Sequence, residues 1–395
     1  MSSLKADLIN KIKYSKALYS LYYGIMNSFM NVIKHFVKTE NDLILFNSYA
    51  GRKFDDSPKA IYEVLRKDLR FKDHRLVWAF HRPENIADFP KDSEKIRTDS
   101  FRYFMTAMKA RVWVTNSSVE RGLHFKKKNT FYFNTWHGTP VKKMGSDINA
   151  DTDSFAPKKP EAIDVMMAQS DFETEIFSRS FGIPIEHFLK KGLPRNDILV
   201  SYTEETREQL RKKLNIPEGK TVILYCPTFR EFEKDENSGC ILVPPMDLSF
   251  WENRLGEDFV LLFRAHYEVA KVMEIRENAF VRNMTDYPSL NELMIASDLL
   301  ISDYSSVFFD YSIMDKPMLH FTYDYDKYNS LRGLYFDIRE YIFGGADENT
   351  VIDLIRTMDI EEAVKRTRAF RKKYVNYYGD AARAAADCIA KKLGV

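Results

Sequence analysis

Short apolar runs alternate with helix-length segments through two successive stretches of this chain, and few folds accommodate that pattern. The first series reads Leu43 to Asn47, a helix around Lys59 to Lys67, Arg75 to Ala79, a helix around Ser100 to Lys109, and Val112 to Thr115. It continues with Phe131 to Thr135, Val165 to Gln169, a helix from about Asp171 to Phe181 and a strand near Phe188 to Lys191. Brief β-branched and aromatic runs separated by helices predict parallel strands joined by crossovers. A polar helix from Glu204 to Leu214 then leads to a second series: Val222 to Tyr225, Val260 to Phe263, Phe280 to Arg282, Leu299 to Ser302 and Met318 to Phe321. The expectation is an α/β protein of two Rossmann-like domains, 39–203 and 204–360, facing a central cleft. A helix within 1–38 precedes them, and a helical tail, 361–395, is expected to cross back over the first domain.

A chain of 395 residues can form two cores. Its net charge of +2 lacks the basic excess of a dedicated nucleic-acid binder, so no nucleic-acid partner is expected. Cys226, Cys240 and Cys388 have neither pairable nor metal-ligand spacing, which predicts free thiols in a reducing compartment and no structural metal. Neither the Gly-x-Gly-x-x-Gly dinucleotide fingerprint nor a P-loop occurs, which disfavours a nicotinamide enzyme or an ATPase. A nucleotide-activated donor on the second domain, with its acceptor on the first, suits two facing halves better.

Ala17 to Ile33 carries no formal charge and is flanked by Lys5, Lys11, Lys13, Lys16, Lys34 and Lys38. Ser20, Asn27, Ser28 and Asn31 interrupt a span already short of the roughly 20 apolar residues needed to cross a bilayer, and no signal-peptidase pattern follows. Two readings stay open: an amphipathic helix lying in an anionic membrane interface, or a helix packed on the first domain or on another subunit.

Three features point to chemistry. Ser302-Asp303-Tyr304-Ser305-Ser306 follows an apolar run and opens a helix-like segment, Val307 to Met314, so its hydroxyls and free backbone N–H groups suit a phosphate; the alternative is simple helix capping. His137, in Trp136-His137-Gly138-Thr139-Pro140, and His266, in Arg264-Ala265-His266-Tyr267, each follow a predicted strand. Both would emerge where ligands collect in open α/β sheets, at the carboxyl edge.

Together with Gly192-Leu193-Pro194-Arg195-Asn196-Asp197, Tyr225-Cys226-Pro227-Thr228-Phe229-Arg230, Lys316-Pro317 and Arg332-Gly333-Leu334-Tyr335-Phe336-Asp337, these motifs resemble the CDP-glycerol glycerophosphotransferases, which build the poly(glycerol phosphate) of teichoic acids and related capsules. The resemblance runs in the family's order from about residue 43 to 345. It implies a glycosyltransferase B type fold and peripheral action at the cytoplasmic face of the membrane. It further implies His137 as general base toward the acceptor hydroxyl and His266 as a second essential histidine at the donor phosphates. Thr228, Arg230, Ser302, Asp303, Ser305, Ser306 and Arg332 are implied donor-binding residues; Gly138, Thr139, Arg195, Asn196 and Asp197 line the acceptor side or cleft. For Arg195, Asn196, Asp197, Arg264 and Asp303 a capping or ion-pairing role is the alternative. Ala265 and Tyr267 fit the pattern loosely, and Glu233 to Ser249 carries no recognisable motif.

The reading is transfer of glycerol phosphate from CDP-glycerol to a hydroxyl of a lipid-linked wall or capsule precursor, releasing CMP. No cofactor is expected beyond the donor, and metal dependence and oligomeric state are left open. Alternatives are a transferase for another CDP-alditol such as CDP-ribitol, a nucleotide-sugar glycosyltransferase of the same fold, or a non-catalytic donor-binding scaffold.

Overall fold

The computed structural model describes residues 15–148, 161–228, 230, 245–265 and 275–395. Both series fold as parallel sheets. The first holds β1 (Glu40–Asn47), β2 (Arg75–Phe80), β3 (Glu94–Arg97), β4 (Ala110–Thr115), β5 (Phe131–Asn134), β6 (Val165–Ala168) and β7 (Phe188–Lys190), ordered β3-β2-β1-β4-β5-β6-β7. The second holds β8 (Thr221–Cys226), β9 (Phe259–Phe263), β10 (Val281–Asn283), β11 (Leu299–Ser302), β12 (Met318–Phe321) and β13 (Phe343–Gly345), ordered β10-β9-β8-β11-β12-β13.

Central strands are apolar on both faces because helices cover both sides of a parallel sheet. Ile44 and Phe46 of β1 enter one core while Leu43 and Leu45 enter the core on the opposite face. In β8, Val222 and Leu224 face one core and Ile223 and Tyr225 the other. The sequence reading missed β3 and β13. Both are short edge strands whose sequences, Glu-Lys-Ile-Arg and Phe-Gly-Gly, carry no strand pattern of their own.

The domains meet at more than one place. Lys142 and Leu334 form an antiparallel bridge, reinforced by Lys143 N–H to the Gly333 carbonyl (3.0 Å) and Tyr335 N–H to the Val141 carbonyl (2.8 Å). Near the carboxyl end, the helix Ile360–Tyr374 packs Phe370 and Tyr374 into the second domain. The helix Ala381–Leu393 instead buries Ala381, Ala385, Ala386, Ile389 and Ala390 against Ile61 and Leu65 of the first. Between the two, the N–H groups of Asn376 and Tyr377 donate to the Gln169 carbonyl at 2.9 and 3.0 Å.

The helix Lys16–Ile33 seats Met30, Tyr23, Met26 and Ile33 on the first domain, and its Asn27 Oδ1 accepts the His124 N–H at 2.9 Å. Its other face leaves Leu21, Tyr22, Ile25, Phe29 and Val32 between 50% and 61% exposed. Among the described residues no helix is long and apolar enough to cross a membrane.

Candidate active site

In each sheet the strand order reverses between two central strands, β1 and β4 in the first, β8 and β11 in the second. Loops leaving such a crevice at the carboxyl edge diverge and open a ligand site. The loop after β1 brings Tyr49, Lys53, Asp55 and Asp56; β4 runs into Asn116, and β5 into Trp136 and His137. From the second domain, β9 runs into Arg264 and β11 into Ser305 and Ser306. These side chains, Asn116 and Trp136 apart, join Arg195, Asn291 and Asp310 around a cavity of about 160 Å³ between the domains.

His137 is held on three sides. Its Nδ1 lies 2.7 Å from the Asn116 carbonyl oxygen. A carbonyl only accepts, so Nδ1 carries the hydrogen and, in the neutral ring, Nε2 keeps the lone pair. Trp136 stacks on the imidazole with centroids 4.3 Å apart, and Tyr49 leans on it at 5.8 Å. Burial lowers the imidazole pKa and outweighs the opposing pull of the Asn116 carbonyl and Asp56. The turn is strained: Trp136 stands at φ +50° and Gly138 at φ +150°. Left-handed non-glycine residues persist only where their surroundings over-determine them, and Tyr49, Ala50 and Asp56, also at positive φ, lie on the nearby loop after β1. A Cβ on Gly138 would meet Ser306 Oγ at 2.5 Å, so the glycine lets the histidine turn close on the second domain.

Thr139 lies beneath the cavity, fully buried. Its hydroxyl donates to Glu173 Oε2 (2.7 Å) and accepts from Gln169 Nε2 (2.7 Å). Glu173 also accepts the Gln169 N–H (3.2 Å), and burial pushes its carboxyl up to about 7.

Arg195 lines the cavity but is committed. Nη1 reaches Asp56 at 3.0 Å in the first domain and Nη2 reaches Asp310 at 2.7 Å in the second. Tyr49 donates its hydroxyl to Asp56, and Asn196, 1% exposed, donates to Asp310 at 2.7 Å. Burial opposes ionisation of Asp56, but Arg195 with Tyr49 and Ser57 brings its pKa below the usual carboxylate value. This pair of carboxylates makes Arg195 a staple between domains rather than a free cation. Asp197 serves elsewhere: its two oxygens accept the N–H groups of Ala381 and Ala382, both at 2.8 Å, and start the last helix.

On the second domain Ser305 and Ser306 reach the cavity, and Ser306 makes no side-chain capping bond. The helix they open, Val307–Ser312, is shorter than expected. Three other residues expected at the donor, Ser302, Asp303 and Arg230, are buried. Ser302 donates to the Cys226 carbonyl at 2.6 Å. Asp303 accepts from Thr228 N–H (2.9 Å), Tyr304 N–H (2.7 Å) and Arg230 Nη1 (2.8 Å). Arg230 itself is 0% exposed, bonds Asp324 through Nε (2.7 Å) and Nη2 (2.9 Å), and lies about 5 Å from the ring centroids of Tyr304, Tyr323 and Tyr328. A guanidinium so enclosed shapes the Thr228 loop from below; it does not face the cavity. The Thr228 hydroxyl has no hydrogen-bond partner among the described residues. Arg332 ends the helix Tyr325–Arg332 away from the cavity lining, and His266 lies outside the described residues. Arg264, for which a carboxylate partner was one alternative, instead donates to the Met284 and Tyr287 carbonyls at 3.1 and 2.7 Å.

Sequence reasoning did not single out Tyr49, Lys53, Asp55, Asp56 or Asp310. The helical spacing of Asp310, four residues after Ser306, and the Asp55-Asp56-Ser57-Pro58 helix start after the first strand were the available signals. Among the described residues no group of three or more His, Cys, Asp or Glu could hold a metal ion.

The profile of the CDP-glycerol:poly(glycerophosphate) glycerophosphotransferase family matches residues 29–390. The chain belongs to that family. It is 35% identical over 316 residues to a teichoic acid poly(glycerol phosphate) polymerase of Staphylococcus epidermidis, covering 76% of this chain and 43% of the polymerase. It is 30% identical over 375 residues to a teichoic acid glycerol-phosphate transferase of Staphylococcus aureus, covering 89% and 95%. This glycerophosphotransferase chain thus spans less than half of the first relative and nearly all of the second. Its fold is similar to the wall teichoic acid polymerase TagF, with a TM-score of 0.83 and 29% identity over 98% of both chains. A variant of TagF soaked with CDPG superposes equally well, with a TM-score of 0.83.

Proposed function

We propose that this glycerophosphotransferase moves glycerol phosphate from CDP-glycerol to a hydroxyl of a lipid-linked wall or capsule precursor. His137 Nε2 takes the proton of the acceptor hydroxyl. The freed oxygen attacks the glycerol-bearing phosphorus, the bond from that phosphorus to the bridging oxygen breaks, and CMP leaves with that oxygen. Phosphoryl transfer depends on positioning and charge stabilisation more than on covalent chemistry, which is the part Ser305 and Ser306 play at the donor phosphates. The observation that carries this reading is the tautomer: Nδ1 is taken by the Asn116 carbonyl, leaving an imidazole of lowered pKa to accept a proton in the same cavity as two hydroxyls from the opposite domain.

The paired parallel sheets with a site between them support the glycosyltransferase B type arrangement. The exposed apolar face of the helix Lys16–Ile33 supports peripheral binding at a membrane, at its cytoplasmic face, where a lipid-linked acceptor and a soluble nucleotide donor meet.

Purified protein given CDP-glycerol and a synthetic lipid-linked acceptor is expected to release CMP and add one or more glycerol phosphate masses to the acceptor. His137→Ala should lower kcat by roughly 10²–10⁴ while retaining donor binding, the range for a positioned acid or base. Donor binding without CMP release would leave a scaffold, and turnover only with nucleotide sugars would leave a glycosyltransferase.

A further inference from the structure

The strained turn that carries His137 needs something to hold it, and its two ends are held differently. On the amino-terminal side, Trp136 N–H donates to Asn134 Oδ1 at 2.8 Å and the imidazole itself bonds the Asn116 carbonyl. On the carboxyl side, directly after Gly138, the anchor is the Thr139 hydroxyl, set between Glu173 Oε2 and Gln169 Nε2 at 2.7 Å each. All three side chains are buried, Thr139, Gln169 and Glu173 each at 0% exposure. Glu173 Oε1 and Gln169 Oε1 have no hydrogen-bond partner among the described residues, an arrangement that costs stability and is not needed to fill a core.

The unit is also tied to both domains. The backbone carbonyl of Gln169 accepts the N–H groups of Asn376 and Tyr377, where the chain crosses back to the first domain. Asp310 and Arg195, whose charges act on the Glu173 carboxyl in opposite directions, belong to the staple between domains. Gly138, one residue before Thr139, is the point where the turn touches Ser306.

We infer that Glu173, acting through the Thr139 hydroxyl with Gln169, is a positioning residue that holds the His137 turn at its working distance from the second domain. Glu173 touches no substrate in this role. Its carboxyl oxygen accepts the Thr139 hydroxyl hydrogen and so fixes the peptide that follows Gly138. A displacement of about 1 Å at a reacting group can cost on the order of 10²-fold in rate, so the loss of this anchor falls on the chemical step.

The inference rests on His137 as the base, and the test separates the two. Thr139→Val and Glu173→Leu remove the hydrogen bond from either end. Thr139→Ser and Glu173→Gln keep a hydroxyl donor and an oxygen acceptor. CMP release and CDP-glycerol affinity are measured for each, with His137→Ala in the same assay and thermal unfolding as the check on folding. The expected result is a kcat lowered by about 10- to 100-fold in Thr139→Val and Glu173→Leu with donor Kd within twofold of the parent. The conservative pair should stay within about threefold, and the Thr139→Val/Glu173→Leu double variant should be no slower than the slower single, because both remove one interaction. Folded Thr139→Val with parental kcat, Thr139→Ser as slow as Thr139→Val, or losses that multiply in the double variant would each overturn the inference. Should Glu173→Leu not fold, the Thr139→Val and Thr139→Ser comparison decides it alone. A fully active His137→Ala would instead remove the base assignment, and the inference with it.

Discussion

At the scale of single residues, the site is built from side chains whose partners decide their use. His137 and Arg195 both line the cavity, yet the imidazole keeps one nitrogen for chemistry while the guanidinium is divided between Asp56 and Asp310. Arg230 carries the same lesson further, since a cation in a phosphate-like motif is spent on Asp303 and Asp324. The His137 environment predicts a pH response with a definite sign. Burial disfavours the imidazolium, so the folded pKa lies below the ordinary value of about 6.5. A base must be unprotonated, so activity is lost as pH falls through that lowered pKa and is intact above it. The acidic limb of kcat/KM for CMP release should therefore have its midpoint below pH of about 6.5. A midpoint at or above that value, in a profile corrected for acceptor ionisation, would exclude His137 as the titrating base.

At the scale of elements, loops and caps place the site more than the strands do. Gly138 lets one turn close on another, and the Asp303 carboxylate fixes the Thr228 loop to the end of β11. The last helix shows how far a cap can be from the helix it starts. Asp380 occupies the N-cap position at φ +58° without a side-chain capping bond, and Asp197 supplies the two acceptors from the start of the short helix Asp197–Ser201 in the first domain. Replacing an N-cap acceptor by alanine costs about 0.5–2 kcal/mol. Asp197→Ala is thus expected to lower the urea midpoint and to speed amide exchange over 381–393, with donor affinity unchanged. Parental exchange over that helix would show that Ala packing alone fixes it.

At the scale of the whole molecule, two sheets are stapled through Arg195 and bridged at Lys142 and Leu334, and one apolar helix face is left to solvent. If that face lies in a membrane interface, full-length protein should float with anionic vesicles. Binding should weaken with salt as the lysine contribution is screened over about 8 Å at physiological ionic strength. Removing 1–38 should release the protein while turnover of a short water-soluble acceptor persists, because the cavity is built from later residues. An aggregated deletion variant, from a parent that never floats, would mean that the helix is structural only.

What the sequence determined by itself is local and periodic. Apolar runs fixed most of the strands, since burial on both faces demands near-continuous Val, Leu, Ile and aromatic residues, and β11 spans the apolar Leu299 to Ser302 run as read. Residue type at strand ends marked His137, Ser305 and Ser306, because turns that expose backbone need small and polar residues. The tertiary structure decided everything that depends on neighbours distant in the chain. The edge strands β3 and β13 exist through pairing with β2 and β12, not through their own composition. Arg195 finds its carboxylates 139 and 115 residues away, and only that pairing turns a candidate substrate contact into a staple. Glu173 lies on the helix Asp171–Phe181 with nothing in its sequence to distinguish it from any acidic residue in a first helical turn. Burial beneath Thr139 is what gives it a role, and burial is a property of the packed molecule.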